Sequence, residues 1–140
     1  MSTTPHRLIY KLSLAQHRLL KGADLAFREA AGISTTQLGV LFFLQKSPGA
    51  LPKDLSDALG VNASAVTALI ARMEDAGLVR RQPSRDDQRA IHLFATAGGL
   101  AKAAAARPVL ARLNARLTDD FSEREIATVA RFLDTILARF

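Results

Sequence analysis

Residues 52–76, PKDLSDALGVNASAVTALIARMEDA, constrain the fold more than any other stretch of the chain. Pro52 suits the first position of a helix, where a missing N–H is no loss, and Gly60 suits the left-handed residue that ends one. Asn62 is then a good cap for a second helix beginning at Ala63. Leu55 and Leu59 are spaced to face inward from the first helix, while Val61, Val66, Leu69 and Ile70 anchor the second. Ser56 is small enough to let the two approach. The pattern is that of a helix-turn-helix, although a generic helical hairpin has the same features, and the residues that follow decide between them.

Gly77 fits the left-handed position after the second helix, with Leu78 packing back on its last turn. Two short β-prone runs come next, LVRRQP and AIHLF, separated by the polar segment Ser84-Arg85-Asp86-Asp87-Gln88-Arg89. They predict a two-stranded hairpin with a charged tip. A helix-turn-helix running directly into such a hairpin is a winged helix, an architecture whose second helix can enter a major groove while the wing reaches backbone or minor groove.

The flanks are helical. Thr4-Pro5 opens a first helix on which Leu8, Leu12, Ala15, Leu19, Ala23 and Ala26 recur at helical spacing, with its end expected at Gly32. Ser34 and Gln37 form a capping box, Ile33 and Leu38 its hydrophobic staple, and the helix they start stops at Pro48-Gly49. From Thr96 a further helix carries Leu100, Leu110, Leu113 and Leu117, and Pro108 is expected to bend it or free a carbonyl. Ser122 and Glu125 form a second capping box, with Phe121 and Ile126 as its staple. The stripe Ile126, Val129, Ala130, Leu133, Ile136, Leu137 and Phe140 then gives the last helix one apolar face. The fold expected is mainly α, and 140 residues suit one domain over 1–140.

Charge and composition narrow the function. The formal charge of +6 suggests a polyanionic partner, yet residues 53–92 carry six Lys/Arg against six Asp/Glu, so the positive excess lies elsewhere in the chain. With no cysteine, disulfides, thiolate nucleophiles and cysteine-ligated zinc are all excluded. His6, His17 and His92 fall apart from one another without metal-site or nucleophile spacing, so neither an enzyme nor a metal or other cofactor is expected. No apolar run is long enough for a membrane span and the start lacks a signal-peptide core, which makes a cytoplasmic location the expectation.

The run DLSDALGVNASAVTALIARMEDAGLVRRQPSRDDQRAIHLFATAGG resembles the MarR family of transcriptional regulators, including an Asp-x-Arg wing signature at Asp87-Gln88-Arg89. The resemblance implies a cytoplasmic homodimer that binds double-stranded DNA at a pseudo-palindromic operator, acting as a repressor. Residues 34–95 would be the winged-helix region, and 1–33 with 96–140 the interlocking dimerisation helices, whose apolar stripes could equally serve an internal core. On the recognition helix Asn62, Ser64, Thr67 and Arg72 are the polar residues placed to meet DNA, with Ala65 and Ala68 able to touch thymine methyls. Asn62 has the competing role of a cap, and Arg72 that of a salt-bridge partner. So few readers leave room for recognition by DNA shape.

In the wing, Arg85 is the candidate for the minor groove or phosphate, and Asp87 would orient Arg89 towards the backbone. Arg80 and Arg81 lie on opposite faces of the first strand, so at most one should reach DNA. The family also implies release by a small aromatic or phenolic effector, for which Tyr10, His17, Phe27, Arg28 and Phe42 are pocket candidates against the plainer role of helix packing. The absence of cysteine argues against the family's thiol-oxidation sensing. The other functional class is a winged-helix protein-interaction module without DNA binding.

Overall fold

The structure is a computed structural model that describes residues 7–86 and 90–140. The expected first-helix start at Thr4-Pro5 and the wing residues Asp87 and Arg89 lie outside the described residues. In chain order the elements are α1 (Leu8–Ala31), α2 (Thr35–Lys46), α3 (Pro52–Leu59), α4 (Ala63–Asp75), β1 (Val79–Pro83), β2 (Ile91–Ala95), α5 (Ala97–Thr118) and α6 (Glu123–Arg139). The chain divides into two compact units, residues 1–107 and 108–140.

In the first unit α1 ends at Gly32, which takes the left-handed conformation at φ 69° and donates its N–H to Arg28 O. The expected capping box opens α2: Ser34 Oγ accepts from Gln37 N at 3.1 Å and Gln37 Oε1 from Ser34 N at 2.9 Å. Its staple residues Ile33 and Leu38 are both buried. The buried face of α1 runs Ala23, Phe27, Ala31 at four-residue spacing, while Leu19, also on the helical spacing read from the sequence, is 46% exposed. The alanines and leucines of this helix allow several frames of helical spacing, and only packing against the rest of the unit selects one.

The core of this unit gathers Phe27, Ile33, Leu41, Leu44, Leu55, Val66, Met73 and Leu93, all essentially sealed from solvent. β1 and β2 pair antiparallel, with Val79 opposite Ala95 and Pro83 opposite Ile91. One strand-like contact was not legible in the sequence. The α2–α3 connection docks on β2, with Gly49 N donating to Leu93 O and Leu93 N to Ala50 O, each at 2.9 Å. A single bridged residue leaves no alternating pattern to read.

The base of the hairpin is clamped to α5 through Thr96. Its hydroxyl donates to Gly77 O at 2.6 Å and accepts from Gly99 N at 2.9 Å, and its N–H donates to Leu78 O at 3.0 Å. Near its middle, α5 lays Arg107 over the Phe42 ring at 4.7 Å and gives a hydrogen bond to Gln45 Oε1 at 2.9 Å. The helix continues through Pro108 without interruption.

In the second unit Ser122 and Glu125 form the expected capping box of α6. The accompanying staple is not closed on its outer side, since Phe121 is 56% exposed. None of the side chains of α6 is buried, and the expected apolar stripe is open, with Leu137 at 80% and Phe140 fully exposed.

Candidate nucleic-acid interface

The turn between α3 and α4 is fixed by three residues acting together. Gly60 adopts φ 67°, a conformation with a steric cost for any residue carrying a Cβ. The Ser56 hydroxyl donates to Val61 O across the turn, so Ser56 holds the turn closed as well as being small. Asn62 then caps α4, its Oδ1 accepting from Ala65 N at 2.8 Å and from the Ser64 hydroxyl at 2.9 Å.

Val66, Leu69, Ile70 and Met73 bury one face of α4 and thereby fix which face is presented outward. The outward residues are Ser64, Thr67, Ala68 and, towards the C-terminus, Glu74 and Asp75. Neither hydroxyl is idle: Ser64 donates to Asn62, and Thr67 Oγ1 to Ala63 O at 2.9 Å. The outer surface of the helix is therefore smooth and low in uncommitted donors.

Ala65 and Arg72 occupy a flank of the same helix. Together with Val61 and Leu69 they line a cleft of about 340 Å³ whose other wall is Asp24, Arg28, Ser34, Thr36 and Gln37. In that wall Asp24 Oδ1 accepts the Thr35 N–H at 2.7 Å and so pins the start of α2 to α1. The Thr35 hydroxyl beside this carboxylate has the largest effect in holding its pKa below the usual range. Partial burial opposes the shift, and the Thr35 N–H and the Arg28 charge add to it.

On the wing, Arg85 is exposed. Arg80 and Arg81 do diverge to opposite faces. Arg81 Nε pairs with Glu74 Oε1 at 3.3 Å, whereas Arg80 stacks on Phe94 with its guanidinium carbon 4.3 Å from the ring centroid. The five residues considered for an effector pocket have different surroundings within the chain. Phe27 is buried in the core, Phe42 lies under Arg107, Arg28 lines the cleft behind α4, and Tyr10 and His17 are exposed on the first half of α1. Among the described residues no group of His, Asp and Glu side chains could hold a metal ion, and no helix is long and apolar enough to cross a membrane.

A helix-turn-helix whose second helix presents one outward face, followed by a two-stranded wing clamped to its base, defines a winged helix-turn-helix protein. The sequence profile of the MarR family matches residues 31–90. The multiple antibiotic resistance protein MarR of Escherichia coli (strain K12) is 26% identical over 132 residues, covering 94% of this chain and 89% of that protein. The crystal structure of a mutant E. coli MarR complexed with operator DNA matches with a TM-score of 0.78 at 25% identity, over 98% of this chain and 99% of that one. In fold, the S. aureus MepR–DNA complex is also similar, with a TM-score of 0.85 at 22% identity over 94% and 96% of the two chains. Over residues 31–90 the chain is similar to the MarR family, and it shares the winged-helix fold of these relatives.

Proposed function

We propose that this protein is a DNA-binding transcriptional regulator that acts as a homodimeric repressor on a pseudo-palindromic operator. The observation that carries the reading is the presentation of α4: one face is locked into the core, the opposite face is open, and the wing stands beside it. The MarR and MepR structures in complex with DNA support the same use of this architecture. Asn62 contributes as the cap that sets the start of α4, Ala65, Ala68, Ser64 and Thr67 by shape and methyl contact, and Arg72, Arg85 and Arg89 by charge, with Asp87 orienting Arg89.

Dimerisation is supported by apolar side chains that a lone chain leaves in water. On α1, Ile9, Tyr10 and Leu25 are more than 70% exposed, and on α6 Val129, Phe132, Leu133, Leu137 and Phe140 are open along one length of helix. A second copy covering these faces by two-fold symmetry removes them from solvent and sets the spacing of two recognition helices. A small aromatic or phenolic anion is the effector class proposed. Of the pocket candidates Arg28 has the clearest route to an effect, because the cleft it lines has α4 as its opposite wall. An anion held there would bias the position of the recognition helix directly.

The test is selection of genomic fragments with the purified protein, followed by titration of the enriched fragment at two salt concentrations, with sedimentation to establish the oligomeric state. Enrichment of a pseudo-palindrome bound by a dimer, with affinity falling as salt rises, is the expected result. Failure to enrich any fragment, with weak binding even at low salt, would replace this reading with that of a winged-helix protein-interaction module.

A further inference from the structure

Alternation along β1 sorts its side chains into two sets. Val79 is buried and Arg81 is paired with Glu74 at the end of α4, so this face belongs to the core side. Arg80 and Gln82 point the other way, directly across from Phe94 and His92 on β2. The Arg80 guanidinium lies flat enough on Phe94 to bring its central carbon 4.3 Å from the ring centroid, and its Nη1 donates to Gln82 Oε1 at 3.0 Å. Phe94 is itself backed by Gly49, where a Cβ would come 3.4 Å from the ring Cζ. Gly49 is held by the hydrogen bond from its N–H to Leu93 O and by His92 Nδ1, which donates to Gly49 O at 2.7 Å. The guanidinium therefore rests on a ring packed against the hydrogen-bonded Gly49 backbone.

This cation is exposed and makes no ion pair among the described residues. One of its N–H donors is engaged by Gln82 and the remainder stay available to an anion. Stacking and the Gln82 bond fix the orientation of the planar fork beforehand, so less side-chain entropy is lost when a phosphate is bound. The outer face of α4 has its hydroxyls committed to its own backbone and cap, so affinity for DNA must draw on charge presented elsewhere in the lobe.

We propose that the outward face of β1 is a DNA-backbone contact, with Arg80 as the phosphate-binding residue and Phe94 and Gln82 as its positioning residues. The proposal rests on the DNA-binding reading above and adds a contact lying apart from the recognition helix and the wing tip. Arg81, bound to Glu74, is the strut on the opposite face.

The experiment titrates the enriched operator fragment and an unrelated duplex of equal length across a range of salt concentrations, using the full-length protein and its Arg80→Gln, Arg80→Lys and Arg81→Gln variants. Removal of one phosphate contact in Arg80→Gln should make the plot of log affinity against log salt shallower by about 0.9. Both duplexes should lose about tenfold in affinity, the scale of one charge-assisted hydrogen bond. Arg80→Lys should keep the slope, since the charge remains, while losing affinity with the stacked fork. Arg81→Gln should keep the slope as well. An unchanged slope in Arg80→Gln, a loss confined to the operator fragment, or equal slopes for Arg80→Gln and Arg80→Lys would each overturn the assignment. Absence of salt-dependent binding by the unsubstituted protein would overturn the DNA-binding reading itself, and this contact with it.

Discussion

Two adjacent glycines at the start of α5 should respond in opposite directions to the same substitution. A Cβ at Gly99 would fall well inside contact distance of the Leu78 carbonyl oxygen and 2.8 Å from Leu41 Cδ2. The Leu78 oxygen is fixed by the Thr96 N–H, and Leu41 is completely buried, so neither neighbour can yield cheaply. Alanine would gain up to about 1 kcal/mol of helix propensity. Against this stand an overpacking cost of about 1–3 kcal/mol and about 1 kcal/mol for a strained Thr96–Leu78 hydrogen bond. Gly99→Ala should therefore lose about 1–3 kcal/mol net, since the clash exceeds the propensity gain. At Gly98 the nearest atom to an added Cβ is Gly77 O at 3.5 Å, an ordinary contact, and φ is not positive. Gly98→Ala should stabilise by roughly 0.5 kcal/mol. Urea unfolding of both variants measures the difference as a shift of midpoint at constant slope. Gly99→Ala at or above the stability of the parent would refute the close-approach argument, whatever Gly98→Ala does.

Other consequences can be checked separately. Asn62→Ala should cost about 1 kcal/mol in urea unfolding through loss of the α4 cap, and Asn62→Asp, which keeps an acceptor, should restore most of it. Leu137→Asp should leave the circular dichroism of the helices intact while converting the proposed dimer to monomer in sedimentation, because Leu137 is 80% exposed in the single chain. The lowered pKa of Asp24 means that its carboxylate stabilises the fold above the unfolded-state carboxylate pKa, and that this contribution is lost as pH falls through the folded value. Asp24→Ala should accordingly flatten the acid limb of the stability profile below the ordinary carboxylate range, whereas an unchanged limb would remove Asp24 as its source.

The local devices of this chain were readable because each is closed by residues a few positions apart. Ser34 with Gln37, Ser122 with Glu125, Asn62 ahead of Ala63, and the glycines at 32, 60 and 77 state where helices begin and end, and backbone chemistry leaves them little alternative. The turn from α3 to α4 and the hairpin after it follow from the same short-range rules, which is why the winged helix is legible residue by residue. Tertiary structure decided what depends on partners distant in sequence. The alanine-rich face of α1 could have turned inward at Leu19, and packing around Phe27 and Ala31 selected otherwise. Arg80 and Arg81 are equivalent by composition and separable by alternation, but only the placement of Glu74 and of Phe94 made one a strut and the other a presented cation. Likewise the docking of Gly49 on β2, and of Gly99 beneath Leu78, depends on backbone atoms meeting across long stretches of chain. Hydrogen bonding within a turn is encoded by neighbours, whereas a close approach between elements is encoded by the shape of everything packed between them.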